Sequence, residues 1–196
     1  AYNYDVRLIL KKWLNDLRNE QTEAGDIPVV SPDVLGTSAT SAMWCDAIVM
    51  VPWTLYEMYG EKSFLSDNYE AMKKFLSARE ARVSDGLVGD GWEFGDWLAM
   101  DLEPLIDSPI GRTDVKYIVN AFYAASLDIV ANVAAILEKP DEARNYRARR
   151  EKLREDMRAE YFTPSGRLAI DTVTAQVLAL QFHIVDEKFR AKLAFD

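Results

Sequence analysis

"TDVKYIVNAFYAASLDIVANVAAILEKPDEARNYRARREKLREDMRAEYFTPSGR", residues 113–167, decides the fold. Val115, Ile118, Val119, Phe122, Ile129, Val130, Val133, Ile136 and Leu137 recur at three-four spacing, the mark of one buried helical stripe. That predicts a helix from Thr113 to about Glu138. Pro140 suits the first turn of a second helix, because its missing N–H has no intrahelical partner there. This helix is expected to run to about Tyr161. Its "DEARNYRARREKLRED" mixes both charge signs at helical spacing and predicts a solvated face laced with ion pairs. "TPSGR" then turns the chain. Two long helices joined by a short link make a helical hairpin.

The flanking sequence repeats the theme. "YNYDVRLILKKWLNDLRNEQ" (2–21) places Val6, Ile9, Leu10, Trp13, Leu14 and Leu17 on one expected buried face. A second helix is predicted over about 42–59, with Pro52 kinking or interrupting it and Gly60 ending it. A third lies in "SFLSDNYEAMKKFLSAREA" (63–81), with Tyr69, Met72 and Phe75 inward and Ser66 or Asp67 as cap. "TVTAQVLALQFHIV" and "DEKFRAKLAF" close the set. No strand pattern competes. Short links alternate with long loops at 25–41 and 83–112, so hairpins stand side by side with their long loops gathered at one end. The expectation is one all-α domain over residues 1–196. No exact repeat of 30–50 residues points to a tetratricopeptide-like array.

Composition bounds the function. The chain is 49 % hydrophobic with a formal charge of −9, 32 acidic against 23 basic residues. This argues against nucleic acid or an anionic membrane as partner, since both need a basic surface. No run of about 18 apolar residues is present, so no membrane insertion is expected. The single cysteine, Cys45, excludes an internal disulfide and reads as a small buried apolar residue. The single histidine, His183, reads as a core residue on an apolar helix. No phosphate loop, zinc spacing or dinucleotide fingerprint occurs, so no cofactor and no metal are expected. The chain opens already amphipathic and without a start methionine, which suggests a piece of a longer protein.

Two loops carry chemistry. "GDGWEFGDWLAMD" (89–101) sets Trp92 and Trp97 among glycines and carboxylates, including Glu93 and Asp96. "AMWCDAIVMVPWTLYEMYG" (42–60) sets Trp44 and Asp46 where a long loop meets a helix. Aromatic rings flanked by carboxylates suit a sugar: the ring covers the apolar C–H face of a pyranose, and carboxylates accept from hydroxyls. The plainer alternative makes Asp46 a helix cap with Trp44 packed beside it, and the glycine loop ordinary turn chemistry. Turn chemistry leaves Trp92 and Trp97 of the glycine loop unexplained.

Together these segments resemble the catalytic domain of bacterial α-L-rhamnosidases, an inverting family built on an α/α toroid of helical hairpins. "AYNYDVRLILKKWLNDLRNEQTEAGDIPVVSPDV" is similar to the family's helix ending in DxxxxQxxxGxIPxVxP. "WCDAIVMVPWTLYEMYGEKSFLSDNYEAMKKFL" is similar to WGDAxxxxPWxLYxxYGDxxxLxxxYxxMxxW, with Cys45 and Glu61 in place of a glycine and an aspartate. "FGDWL" stands as in the family, and "TAQVLALQFHIVDE" is similar to TxxALALxFxLVPE. The resemblance implies neighbouring aromatic loops at the rim of the toroid, with Trp44 and Trp97 lining the rhamnose subsite. Asp46 and Asp96 fall in the same motifs, and Trp92 joins them as a substrate-binding candidate. It also implies a general acid upstream of residue 1 and a general base beyond residue 196. No catalytic residue is therefore expected in this chain, which should be inactive alone and incomplete as a toroid, with apolar helix faces free for self-association. The implied partner is an L-rhamnose-containing glycoside. The alternatives are a non-catalytic carbohydrate-binding or scaffold module, or another toroid glycosidase of the glucoamylase-like or uronyl hydrolase-like kind.

Overall fold

A computed structural model describes residues 3–35, 40–89, 91–99 and 109–195. Parts of both long loops, including Asp90, Met100 and Asp101, lie outside the described residues. Helices dominate: α1 (Arg7–Glu20), α2 (Ala47–Tyr59), α3 (Ser63–Ser66), α4 (Tyr69–Glu80), α5 (Val115–Ile136), α6 (Pro140–Tyr161), α7 (Val173–Gln181) and α8 (Glu187–Phe195). The predicted hairpin is α5 with α6, packed along their lengths. Asp114 caps α5 by accepting from Tyr117 N–H at 2.8 Å, and Pro140 stands in the first turn of α6. The charged run on α6 forms the expected ion pairs, Arg150 with Asp128 and Lys152 with Asp156, although Arg154 is buried.

α5 is the spine. It touches α2, α4, α6 and α7, and Ile118, Leu127, Val130 and Val133 are fully enclosed in one continuous apolar core. By length and hydropathy α5 could span a bilayer, but 78 % of its most apolar window is buried inside the fold. A core helix of a large helical assembly is apolar all round for that reason.

The structure corrects several expectations. α2 starts at Ala47 rather than Ala42, and Pro52 sits inside it without breaking it. The cap of α4 is Asn68, whose side chain makes no capping bond. Ile9 is exposed, as is Leu8, so the buried face of α1 reduces to Leu14 and Leu17, with Val6, Leu10 and Trp13 half-buried. Val173 and Val177 form a matching exposed pair on α7. His183 lies beyond the end of α7 at φ +53°, exposed, not in the core. A small antiparallel hairpin, β1 (Val83–Ser84) with β2 (Leu87–Val88), stands where no strand was expected. Its Asp85 and Gly86 both have positive φ, the requirement of a tight hairpin turn. Asp-Gly between apolar residues was the available signal.

Candidate functional site

The two aromatic segments meet. Phe94 lies at the centre, its ring centroid 4.5 Å from Trp44, 4.5 Å from Trp92 and 5.0 Å from Trp97. The Trp92 and Trp97 contacts are edge-on, the arrangement that aromatic quadrupoles favour. Trp92 remains 57 % exposed and Trp97 40 %, while Trp44 is half-buried. The result is a wall of three indoles around one phenyl ring, open to solvent. Large rings left this exposed together mark an interaction surface more often than a packing accident.

The carboxylates stand behind the wall. Asp46, 2 % exposed, accepts Ser126 O–H of α5 at 2.7 Å on Oδ1 and Met43 N–H at 3.0 Å on Oδ2. Met43 has φ +72°, an uncommon conformation for a residue with a side chain, and the bond from Asp46 helps hold it. Glu93 accepts Ala42 N–H at 2.5 Å on Oε2 and Arg79 Nη1–H at 3.2 Å on Oε1. In return Phe94 N–H donates to Ser41 Oγ at 3.0 Å. The loop bearing Trp92 and Trp97 and the turn bearing Trp44 are thus tied by two reciprocal hydrogen bonds.

Asp96 differs. Its Oδ2 accepts Thr113 N–H at 3.4 Å, and its backbone carbonyl accepts Ala99 and Gly111 N–H. Its Oδ1 is buried with no hydrogen-bond partner among the described residues. Gly111 makes room for this carboxylate: a Cβ there would lie 2.7 Å from Asp96 Oδ1. Gly95, at φ +59°, and a bridge between Trp97 and Ile110 complete the turn.

Cys45 lies beneath, donating to Ile27 carbonyl at 3.0 Å and accepting Ser41 N–H at 3.2 Å. Burial pushes its thiol up to about 12, so it is an inert structural group rather than a nucleophile. No cluster of metal-ligating side chains occurs among the described residues.

All five substrate-binding candidates, Trp44, Asp46, Trp92, Asp96 and Trp97, belong to this one assembly. Phe94 and Arg79 were not singled out from sequence. Phe94 sits between two named residues, so its neighbourhood was visible. Arg79 follows Met72, Phe75 and Leu76 at helical spacing on α4, so the buried stripe was the available signal for its burial.

The family model described as the bacterial alpha-L-rhamnosidase 6 hairpin glycosidase domain matches residues 1–195. An α-L-rhamnosidase of Alteromonas sp. (strain LOR) is 32 % identical over 193 residues, covering 95 % of this chain and 20 % of that protein. A crystal structure of native α-L-rhamnosidase from Aspergillus terreus superposes with a TM-score of 0.91 at 31 % identity, over 98 % of this chain and 23 % of the other. The Streptomyces avermitilis α-L-rhamnosidase complexed with L-rhamnose gives 0.85 at 31 %, over 97 % and 17 %. The chain spans about a fifth of the length of such relatives.

Proposed function

This chain belongs to the bacterial α-L-rhamnosidase six-hairpin glycosidase family, and we propose that it forms one wall of the sugar site in an α-L-rhamnosidase. Its helical hairpins are part of the α/α toroid of that family. The enzyme would release terminal α-L-rhamnosyl residues from glycosides or polysaccharides with inversion. Residues 1–196 would act as one all-α unit, consistent with their single continuous core.

The observation that carries the proposal is the open wall of Trp44, Trp92 and Trp97 on Phe94. Indole faces cover the apolar side of a pyranose. Asp96 would supply the polar complement, since its Oδ1 has no donor among the described residues. Leaving such an oxygen unpaired costs about 1–3 kcal/mol, and a sugar hydroxyl would supply a donor. Asp46 serves from behind, with both oxygens already engaged.

Inverting hydrolysis needs a carboxylic acid to protonate the leaving oxygen and a carboxylate about 6.5–9.5 Å away to activate water. Asp46 and Glu93 fit neither role, being buried with every oxygen already accepting a protein hydrogen bond. The wall therefore binds and orients, and the proton transfers belong to other groups.

Turnover of a nitrophenyl α-L-rhamnoside by the full-length gene product, and none by the 196-residue chain, are the expected results. Proton transfer contributes about 10²–10⁴-fold to such rates, so the isolated chain should stay at background. Turnover by the 196-residue chain would return Asp46, Glu93 and Asp96 to catalytic candidacy. L-Rhamnose binding by the gene product without turnover would favour a non-catalytic carbohydrate-binding module. Failure of the gene product to bind L-rhamnose would overturn the proposal.

A further inference from the structure

We propose that Arg79, on helix α4, is the positioning residue that locks the two aromatic segments into one wall. The proposal rests on the sugar-site function above. Arg79 is 3 % exposed, and its guanidinium faces Glu93 at 3.2 Å with side-chain exposures of 4 % and 6 %. Its guanidinium carbon lies 5.2 Å from the centre of the Phe75 ring. Burial by itself would lower the Arg79 pKa, but the carboxylates of Asp46 and Glu93 outweigh it and hold it above its usual value. One cation thus serves two carboxylates, one from each aromatic segment.

A buried ion pair is a poor device for stability. Replacing one by apolar residues of similar volume is often neutral or stabilising, because both charges must be taken out of water. Its position explains its use. With Oε1 of Glu93 pinned by Arg79, Oε2 meets Ala42 N–H. That bond sets the turn 41–46, in which Asp46 holds Met43 N–H and Trp44 leans on Phe94. Phe94 is the next residue after Glu93 and donates its own N–H back to Ser41. Arg79 therefore fixes the spacing of Trp44 against Trp92 and Trp97 without touching any of the three rings' solvent faces.

The test uses the full-length gene product with Arg79→Met, Arg79→Lys and the double variant Arg79→Met/Glu93→Gln. Three quantities are read: melting temperature, near-ultraviolet circular dichroism of the tryptophan cluster, and L-rhamnose affinity by calorimetry. Arg79→Met should weaken L-rhamnose binding about ten-fold, the scale of one lost hydrogen bond to a charged group, and alter the tryptophan signal. The double variant relieves the stranded Glu93 charge and should regain melting temperature while affinity stays low. Arg79→Lys keeps the charge without the planar fork, so it should fold, with a changed tryptophan signal; it decides the matter if Arg79→Met does not fold.

Affinity that recovers in step with melting temperature in the double variant would make Arg79 merely structural. Wild-type affinity and an unchanged tryptophan signal in folded Arg79 variants would overturn the proposal. Trp97→Ala separates the two claims. If that variant binds L-rhamnose normally, the sugar site fails while the tryptophan signal still decides the role of Arg79. If it loses binding and the Arg79 variants do not, only the positioning role fails.

Discussion

Glu93 accepts the backbone N–H of Ala42 at 2.5 Å across 51 residues of sequence. A residue of the glycine loop thereby sets the turn that presents Trp44. Its carboxylate faces the protein interior, whereas the neighbouring Trp92 faces solvent. The described aromatic residues of this segment form the open surface, and its described carboxylates, Glu93 and Asp96, lie behind it.

Asp96→Asn tests the exception in that frame. The substitution keeps the shape and changes a buried carboxylate whose Oδ1 has no donor among the described residues. Melting temperature should hold or rise, and L-rhamnose affinity should fall by about 1–3 kcal/mol. Calorimetry paired with thermal melting checks it. A variant that loses stability and keeps affinity would make Asp96 a loop strut only.

Much of this fold was legible because helices announce themselves locally. The stripe on α5, the proline at the start of α6 and the ion-paired face of α6 follow from spacing within one element. The candidate site was legible in its members but not in their roles. Periodicity reports which residues share a face; it is silent on partners 50 or 80 residues away, such as Ala42 for Glu93 or Ser126 for Asp46. Arg79 continues the Met72, Phe75 and Leu76 stripe of α4, so its side was legible, but its partner Glu93 on the glycine loop was not. Ile9 and His183 failed in the opposite sense: an apolar residue at the right spacing needs a neighbour to bury it, and none of the described helices covers Ile9.

Val133→Ala separates core from site. Val133 is fully buried on α5, about two turns beyond Ser126, the α5 residue bonded to Asp46. Loss of two methyl groups should cost about 1–3 kcal/mol in chemical denaturation. L-Rhamnose affinity of the folded variant should match wild type. A parallel loss of affinity would mean that the α5 core, and not the local network, governs the wall.

Cys45 gives a pH prediction. Its thiol titrates at about 12 in the fold against an ordinary value of 9.0, raised by burial. Below pH 9 both folded and unfolded chains keep the proton, so the thiol adds no pH dependence. Above pH 9 the unfolded chain loses the proton first, and stability should fall by about 1.4 kcal/mol per pH unit as pH rises towards 12. Cys45→Ala should flatten that part of the stability curve. At neutral pH, iodoacetamide should label Cys45 in denaturant and leave the native protein unmodified. Rapid labelling of the native protein would contradict the buried thiol.

The indole wall is proposed to bind sugar, and Trp97→Ala in the full-length gene product removes one of its exposed rings. Titration of L-rhamnose into folded wild type and variant, with melting followed in parallel, should show affinity weakened by about 1–3 kcal/mol, the scale of stacking a flat ligand on one ring. Trp44→Ala should behave alike. Unchanged L-rhamnose affinity in a folded Trp97→Ala protein, with only its melting temperature lowered, would contradict that role and leave Trp97 as a brace within the loop, against Phe94 and Ile110.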